Sequence, residues 1–131
     1  IWLSSAERNG GVTSGSPVHF VGNPADDTIW ITEGPLKATV AASLSSHSFL
    51  AVAGANQLGS LPDALACLKG FGCRNVCEAF DMDKLQNPHV AAGAQKVLEL
   101  AKSMGFAVRQ IRWDPKYKGI DDYLLSKRQH N

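Results

Sequence analysis

Five carboxylates stand out in this chain: Glu33, the pair Asp81 and Asp83, and the pair Asp121 and Asp122. A single residue separates Asp81 from Asp83. On an extended segment alternate side chains point the same way, so the two can aim at one point with Cα atoms roughly 7 Å apart. Carboxylates gathered so closely repel one another unless a cation sits among them. Oxygen-only ligands suit Mg2+ or Mn2+ rather than zinc. Mg2+ typically takes one or two protein carboxylates with waters and phosphate oxygens, the usual plan for phosphoryl transfer. Glu33 could add a further metal ligand, or act as the base that takes a proton from an attacking hydroxyl. Lys37, one helical turn later, could pair with Glu33 or contact a phosphate, a plain surface lysine being the alternative.

The elements that must position these groups follow from two hydrophobic rhythms. Thr28 to Thr32 is a β-branched and aromatic run, expected as a buried strand, broken by Glu33-Gly34-Pro35. Pro35 suits the first turn of a helix, and Leu36, Val40 and Leu44 give that helix one apolar stripe. Phe49 to Ala53 reads as a second strand, ended by Gly54-Ala55-Asn56. Ser60 with Asp63 resembles a capping box for a helix running to about Lys69, stopped by Gly70. Asn75 to Phe80 is the third strand, and Asn87-Pro88 caps a longer helix that Gly105 stops. Phe106 to Trp113 is the fourth, more polar and so expected nearer an edge.

Strands alternating with helices imply parallel pairing through right-handed crossovers. The expected fold class is α/β, a three-layer sandwich around a central, mostly parallel four-stranded sheet. In such sheets ligands bind at the carboxyl ends of the strands. Glu33 follows strand one, Asp81 and Asp83 follow strand three, and Asp121 and Asp122 follow strand four beyond a short loop. Five carboxylates from three stretches of sequence are thus expected on one rim. Residues 1–27 differ: Asn9 to Pro17 is turn-rich and Val18 to Val21 strand-like, an irregular arm or hairpin laid against the sheet and preceding the core domain of residues 28–131.

Composition narrows the class. At 131 residues the chain is one domain, and 44% hydrophobic with 19% charged residues is ordinary for a globular protein. No apolar run approaches the roughly 20 residues that span a bilayer, so no membrane role is expected. The opening Ile1-Trp2-Leu3-Ser4 has neither an initiator Met nor a signal-peptide pattern, which gives the expectation of a fragment of a larger protein. The net charge of +1 gives no broad electrostatic footprint for nucleic acid, although Arg109, Arg112, Lys116, Lys118, Lys127 and Arg128 crowd the last quarter. Cys67, Cys73 and Cys77 form no C-x-x-C pair; Cys67, in a helical pattern, and Cys77, in a strand pattern, are expected as small core residues, and a reducing cytoplasm fits. Glu78 stands mid-strand and needs either a partner, such as an arginine, or an outward-facing edge.

The Glu33 and Asp81-Met82-Asp83 motifs, separated by a strand–helix unit, resemble the Toprim family, the metal-binding domain of bacterial-type primases, topoisomerases and some nucleases. Lys118-Gly119-Ile120-Asp121-Asp122-Tyr123-Leu124 is similar to the segment that closes a primase Toprim domain, and Trp2-Leu3-Ser4-Ser5 with Gly15-Ser16-Pro17-Val18 to the one preceding it. The resemblance extends to a Toprim-like family of phage and plasmid replication proteins, often beside a helicase. It implies a DNA-replication protein whose partners are DNA, nucleotides and other domains of its parent. It implies Glu33 as general acid/base, Asp81 and Asp83 as Mg2+ ligands, and Asp121 and Asp122 as ligands of a second metal or its waters. Gly54 matches a position where backbone approaches the site. With Asn56, Lys116, Lys118 and Arg112 it makes up the candidate nucleic-acid or nucleotide contacts.

Other readings stay open. One is a Toprim nuclease; another is a non-catalytic module that docks nucleic acid or a partner. A third is a phosphatase-like domain using Asp81 as nucleophile, against which Leu85 stands where that class wants Thr or Val. His19 reads as structural, whereas His89, at a helix start near Asp83, could touch phosphate.

Overall fold

A computed structural model describes residues 2–3 and 18–129. They form a mixed sheet flanked by helices: β1 (Trp2–Leu3), β2 (Val18–Val21), β3 (Thr28–Glu33), α1 (Pro35–Leu44), β4 (Ser48–Val52), α2 (Leu61–Gly70), β5 (Asn75–Glu78), a short 3-10 helix (Met82–Leu85), α3 (Pro88–Ser103), β6 (Ala107–Gln110) and α4 (Ile120–Gln129). The strand order is β1-β2-β4-β3-β5-β6. The four strands β4, β3, β5 and β6 run parallel, while β2 joins β4 antiparallel and β1 joins β2 antiparallel. The sheet therefore has the expected parallel centre. Val18–Val21 is not laid against it but pairs residue for residue with Val52 to Phe49. The turn-rich run from Asn9 to Pro17 lies outside the described residues.

The period-two alternation of the strands sorts their side chains into two cores. Ile29, Ile31, Leu50, Val52 and Val76 pack with Leu61, Leu65 and Leu68 of α2 and Ala94, Val97 and Ala101 of α3. Phe49, Ala51 and Ala79 pack on the other face with Ala38 and Ala41 of α1 and with Ile120, which opens α4. Each fully buried Leu, Ile or Phe contributes about 1.5–3 kcal/mol, so both helical layers are held by many such residues. Among the described residues no helix is long and apolar enough to cross a membrane.

This topology creates a switch point. From β3 the chain goes through α1 to β4 on one side, whereas from β5 it goes through α3 to β6 on the other. Right-handed crossovers in opposite directions put α1 and α3 on opposite faces, opening a crevice between the carboxyl ends of β3 and β5.

Four local expectations are corrected. Ser60 makes no side-chain cap bond, since its backbone is already helical and its hydroxyl is buried. Cys67 is exposed rather than core, because α2 buries Leu61, Ala64, Leu65 and Leu68 and turns Cys67 outward. The fourth strand is shorter than the apolar pattern, Ala107–Gln110, and does lie at the sheet edge. The segment carrying Asp81 and Asp83 is not extended: β5 ends at Glu78, and the chain winds into a 3-10 helix at Met82. Asn87 caps α3 as expected, its side chain accepting the His89 N–H at 2.9 Å.

Candidate active site

Glu33 ends β3, and the turn into α1 is made by Gly34, whose φ of 86° a side chain would strain. The Gly34 N–H donates to the Val52 carbonyl (2.8 Å), which pins this turn to β4. Pro35 then starts α1 and sets Lys37 in its first turn. From there the Lys37 ammonium reaches Asp81 Oδ2 at 2.7 Å, with side chains 35% and 4% exposed respectively. The lysine thus pairs with Asp81 rather than with Glu33.

Asp81 immediately precedes the 3-10 helix, which two neighbours fix. The Met82 N–H donates to the Lys118 carbonyl (2.8 Å), tying the turn to the loop before α4. Lys84, in the same turn, is buried against Glu78, with Nζ 3.0 Å from Oε2. Lys84 Nζ also donates to the Ile111 carbonyl, while Glu78 Oε2 accepts the Phe80 N–H at 2.7 Å. Glu78 therefore has a partner, a lysine six residues on.

Docking of the Lys118 loop brings α4 to the crevice. Gly119 is buried, and a Cβ placed on it would stand 2.5 Å from Asp121 Oδ1 and 3.3 Å from Asp81 Oδ1. Both oxygens are buried and accept no hydrogen bond among the described residues. Two carboxylates from different elements thus turn unpartnered oxygens toward one small space that only glycine leaves open. Gly119 and Lys84 had no place in the sequence reading of the site. The glycine was visible only as part of the Lys118 to Leu124 segment.

The remaining expected ligands separate. Asp83 points outward, its side chain 46% exposed, and lies 3.5 Å from the ammonium of Lys118. Asp122 is exposed and accepts the Gly119 N–H at 3.3 Å, as a helix-start carboxylate does. Glu33 is half-buried, and burial, then the Asp81 charge, raises its pKa above the usual carboxylate value. Asp121 is raised as well, by burial and then by Asp122. Burial alone would lower the Lys37 ammonium, but its bond to Asp81 and the charges of Asp81, Glu33 and Asp121 outweigh that and raise it. The five carboxylates share a rim without sharing one point. Among the described residues, no three His, Cys, Asp or Glu side chains are grouped to hold a metal ion.

The candidate nucleic-acid contacts also divide. Lys118 adjoins the site through Asp83, and Lys116 lies over the Tyr117 ring at 5.0 Å. Arg112 donates to Gln110 Oε1 at 3.1 and 2.9 Å. Gly54 and Asn56 sit in the turn after β4, closed by the Gln57 N–H on the Gly54 carbonyl (3.0 Å), and the atoms nearest to Gly54 belong to Gln57.

A family model described as a domain of unknown function, DUF3854, matches residues 20–131, and so takes in every group on the rim. The chain belongs to this family. No curated protein matches it. In this DUF3854 domain the polar atoms nearest the Gly119 space are two carboxylate oxygens, both buried without a hydrogen to accept. That set fits Mg2+ or Mn2+, which need only one or two protein carboxylates.

Proposed function

We propose that this domain is a Mg2+- or Mn2+-dependent nucleotidyl- or phosphoryl-transfer domain of a DNA-replication protein, with a Toprim-like site of the primase kind. The observation that carries the reading is the pair of unpartnered, buried oxygens of Asp81 and Asp121 meeting at Gly119, beside Glu33 and in a switch-point crevice. Asp81 and Asp121 would hold the cation. Once bound, the cation would supply charge neutralisation for a phosphate oxygen. Glu33 would take or return a proton at its carboxylate, a role favoured by its raised pKa. Lys118 and Lys116 would hold the nucleic-acid backbone, Lys118 beside Asp83. The other partners in this reading are nucleotides and the further domains of a parent replication protein, a helicase among those expected.

One experiment tests the reading directly. In the parent protein on a single-stranded DNA template, Mn2+-dependent incorporation of labelled nucleotide should fall at least about 100-fold in Glu33→Gln. Incorporation at the unsubstituted level would remove Glu33 from the chemistry. Strand cleavage in place of incorporation would indicate the nuclease branch.

A second reading, a non-catalytic Toprim-like module, is favoured by two observations: Asp81 is already neutralised by Lys37, and no three-ligand group is assembled among the described residues. A domain of that kind would bind nucleic acid equally well with and without divalent cation.

A further inference from the structure

Lys37 occupies an unusual place for a surface lysine. Its ammonium lies 2.7 Å from Asp81 Oδ2, a carboxylate only 4% exposed, while the other oxygen of the same group turns to the Gly119 space unpartnered. Its charge is felt by Glu33 and Asp121 as well as by Asp81. The other lysine on the rim, Lys118, stands on the outer side against Asp83. A divalent cation seated between Asp81 and Asp121 would face this ammonium across one carboxylate. Like charges brought together in a partly dry crevice repel one another.

We infer that Lys37 is an exchangeable internal counter-ion: it neutralises Asp81 in the metal-free protein, and a divalent cation binds by displacing it. This rests on the reading of the rim as a divalent-cation site. The lysine can leave at little cost. Its side chain is 35% exposed, it stands in the first turn of α1, and four rotatable bonds let the ammonium swing outward without moving the helix. The displaced ammonium would then be free to meet a phosphate carried by the cation, in which case cation binding and phosphate binding favour each other. Lys37 then acts twice, as a placeholder that keeps the crevice carboxylates from repelling one another and as a phosphate contact once the placeholder is replaced.

The test is calorimetric titration of Mn2+ alone into the unsubstituted chain, Lys37→Met, Lys37→Gln and Lys37→Arg, each first checked for a cooperative melt. Removal of the competing charge should tighten Mn2+ binding about tenfold or more in both neutral variants, while Lys37→Arg stays within about twofold of the unsubstituted chain. Binding seen only in the neutral variants would support the same exchange with a tighter block. Equal or weaker binding in both neutral variants, with the unsubstituted chain binding well, would overturn the exchange and leave the metal reading standing. No binding to any of the four would overturn the metal reading, and the exchange with it. Should the neutral variants fail to fold, the unsubstituted protein supplies the answer by NMR. The Lys37 ε-methylene resonance, identified by its loss in Lys37→Arg, must move as Mg2+ saturates, and a stationary resonance would overturn the proposal.

Discussion

The Lys84 ammonium lies 3.0 Å from the Glu78 carboxylate, with side chains 2% and 0% exposed, so a complete ion pair is buried directly beneath the turn that carries Asp81 and Asp83. Lys84 also sits 5.3 Å from the Trp113 ring centre and donates to the Ile111 carbonyl. The pair thus ties the end of β5, the acidic turn and the exit of β6 together. Burial lowers the Lys84 pKa against the pull of Glu78, which marks how much solvation the pair gives up. Lys84→Met would leave Glu78 charged, buried and unpaired, a loss expected to cost about 3–5 kcal/mol. Replacing both partners, Glu78→Leu with Lys84→Met, should recover most of it. Urea unfolding of the single and double variants checks this. A single-variant cost below about 1 kcal/mol would show the pair to be dispensable.

Gly119→Ala isolates the cradle. No positive φ is involved, so alanine adds volume without backbone strain. The added methyl would stand 2.5 Å from Asp121 Oδ1 and 3.3 Å from Asp81 Oδ1, forcing at least one of them away. Divalent-cation affinity should drop about 10- to 100-fold, while overpacking costs about 1–3 kcal/mol of stability. Unchanged affinity in titration calorimetry would place the cation elsewhere.

Acid should stabilise the metal-free domain over part of the pH range. Glu33 and Asp121 have ordinary values of 4.5 and 3.8, and burial foremost raises both in the folded protein. Between the unfolded and folded values the native state binds more protons, so these two groups make stability fall as pH rises through that window. Glu33→Gln removes one of them. Its melting temperature should decline less than that of the unsubstituted chain from about pH 4 to the folded value of Glu33. Thermal melts without divalent cation measure the difference, and parallel declines would contradict it.

Thiol chemistry reports on the fold. Cys73 and Cys77 are buried, and burial foremost raises both thiols above the ordinary value, whereas Cys67 is exposed on α2. One equivalent of a thiol reagent should react quickly with the native chain, at Cys67, and two more only on unfolding. Three fast equivalents would mean that β5 is not buried as described.

The alternation of β-branched runs with apolar helical stripes was enough to place the four parallel strands, and with them the rim that carries Glu33 and Asp81. Strand and helix periods are local properties, and these segments are long enough to show them. The acidic turn was not legible in the same way. Two aspartates one residue apart look alike in an extended segment and in a 3-10 helix, and only the latter turns Asp83 out to Lys118 while Asp81 stays in. The same limit applies to Asp121 and Asp122, since which of two adjacent carboxylates faces the crevice depends on where α4 begins. Glu78 advertised its need of a partner by standing in an apolar strand. Its partner follows six residues on, past the end of β5 and inside the 3-10 turn, where the strand period no longer applies. The Lys37 bond to Asp81 spans 44 positions and could arise only from the crossover that sets α1 beside the end of β5.

Titration of Mn2+ into the unsubstituted domain and into the double variant Asp81→Asn with Asp121→Asn bears most directly on the site. Both substitutions keep the shape of the side chain and remove its charge. The unsubstituted domain should bind the cation, and the double variant should bind it about 100-fold more weakly or not at all. Equal affinity in the two proteins, both folded by their melts, would contradict a cation site at Asp81 and Asp121.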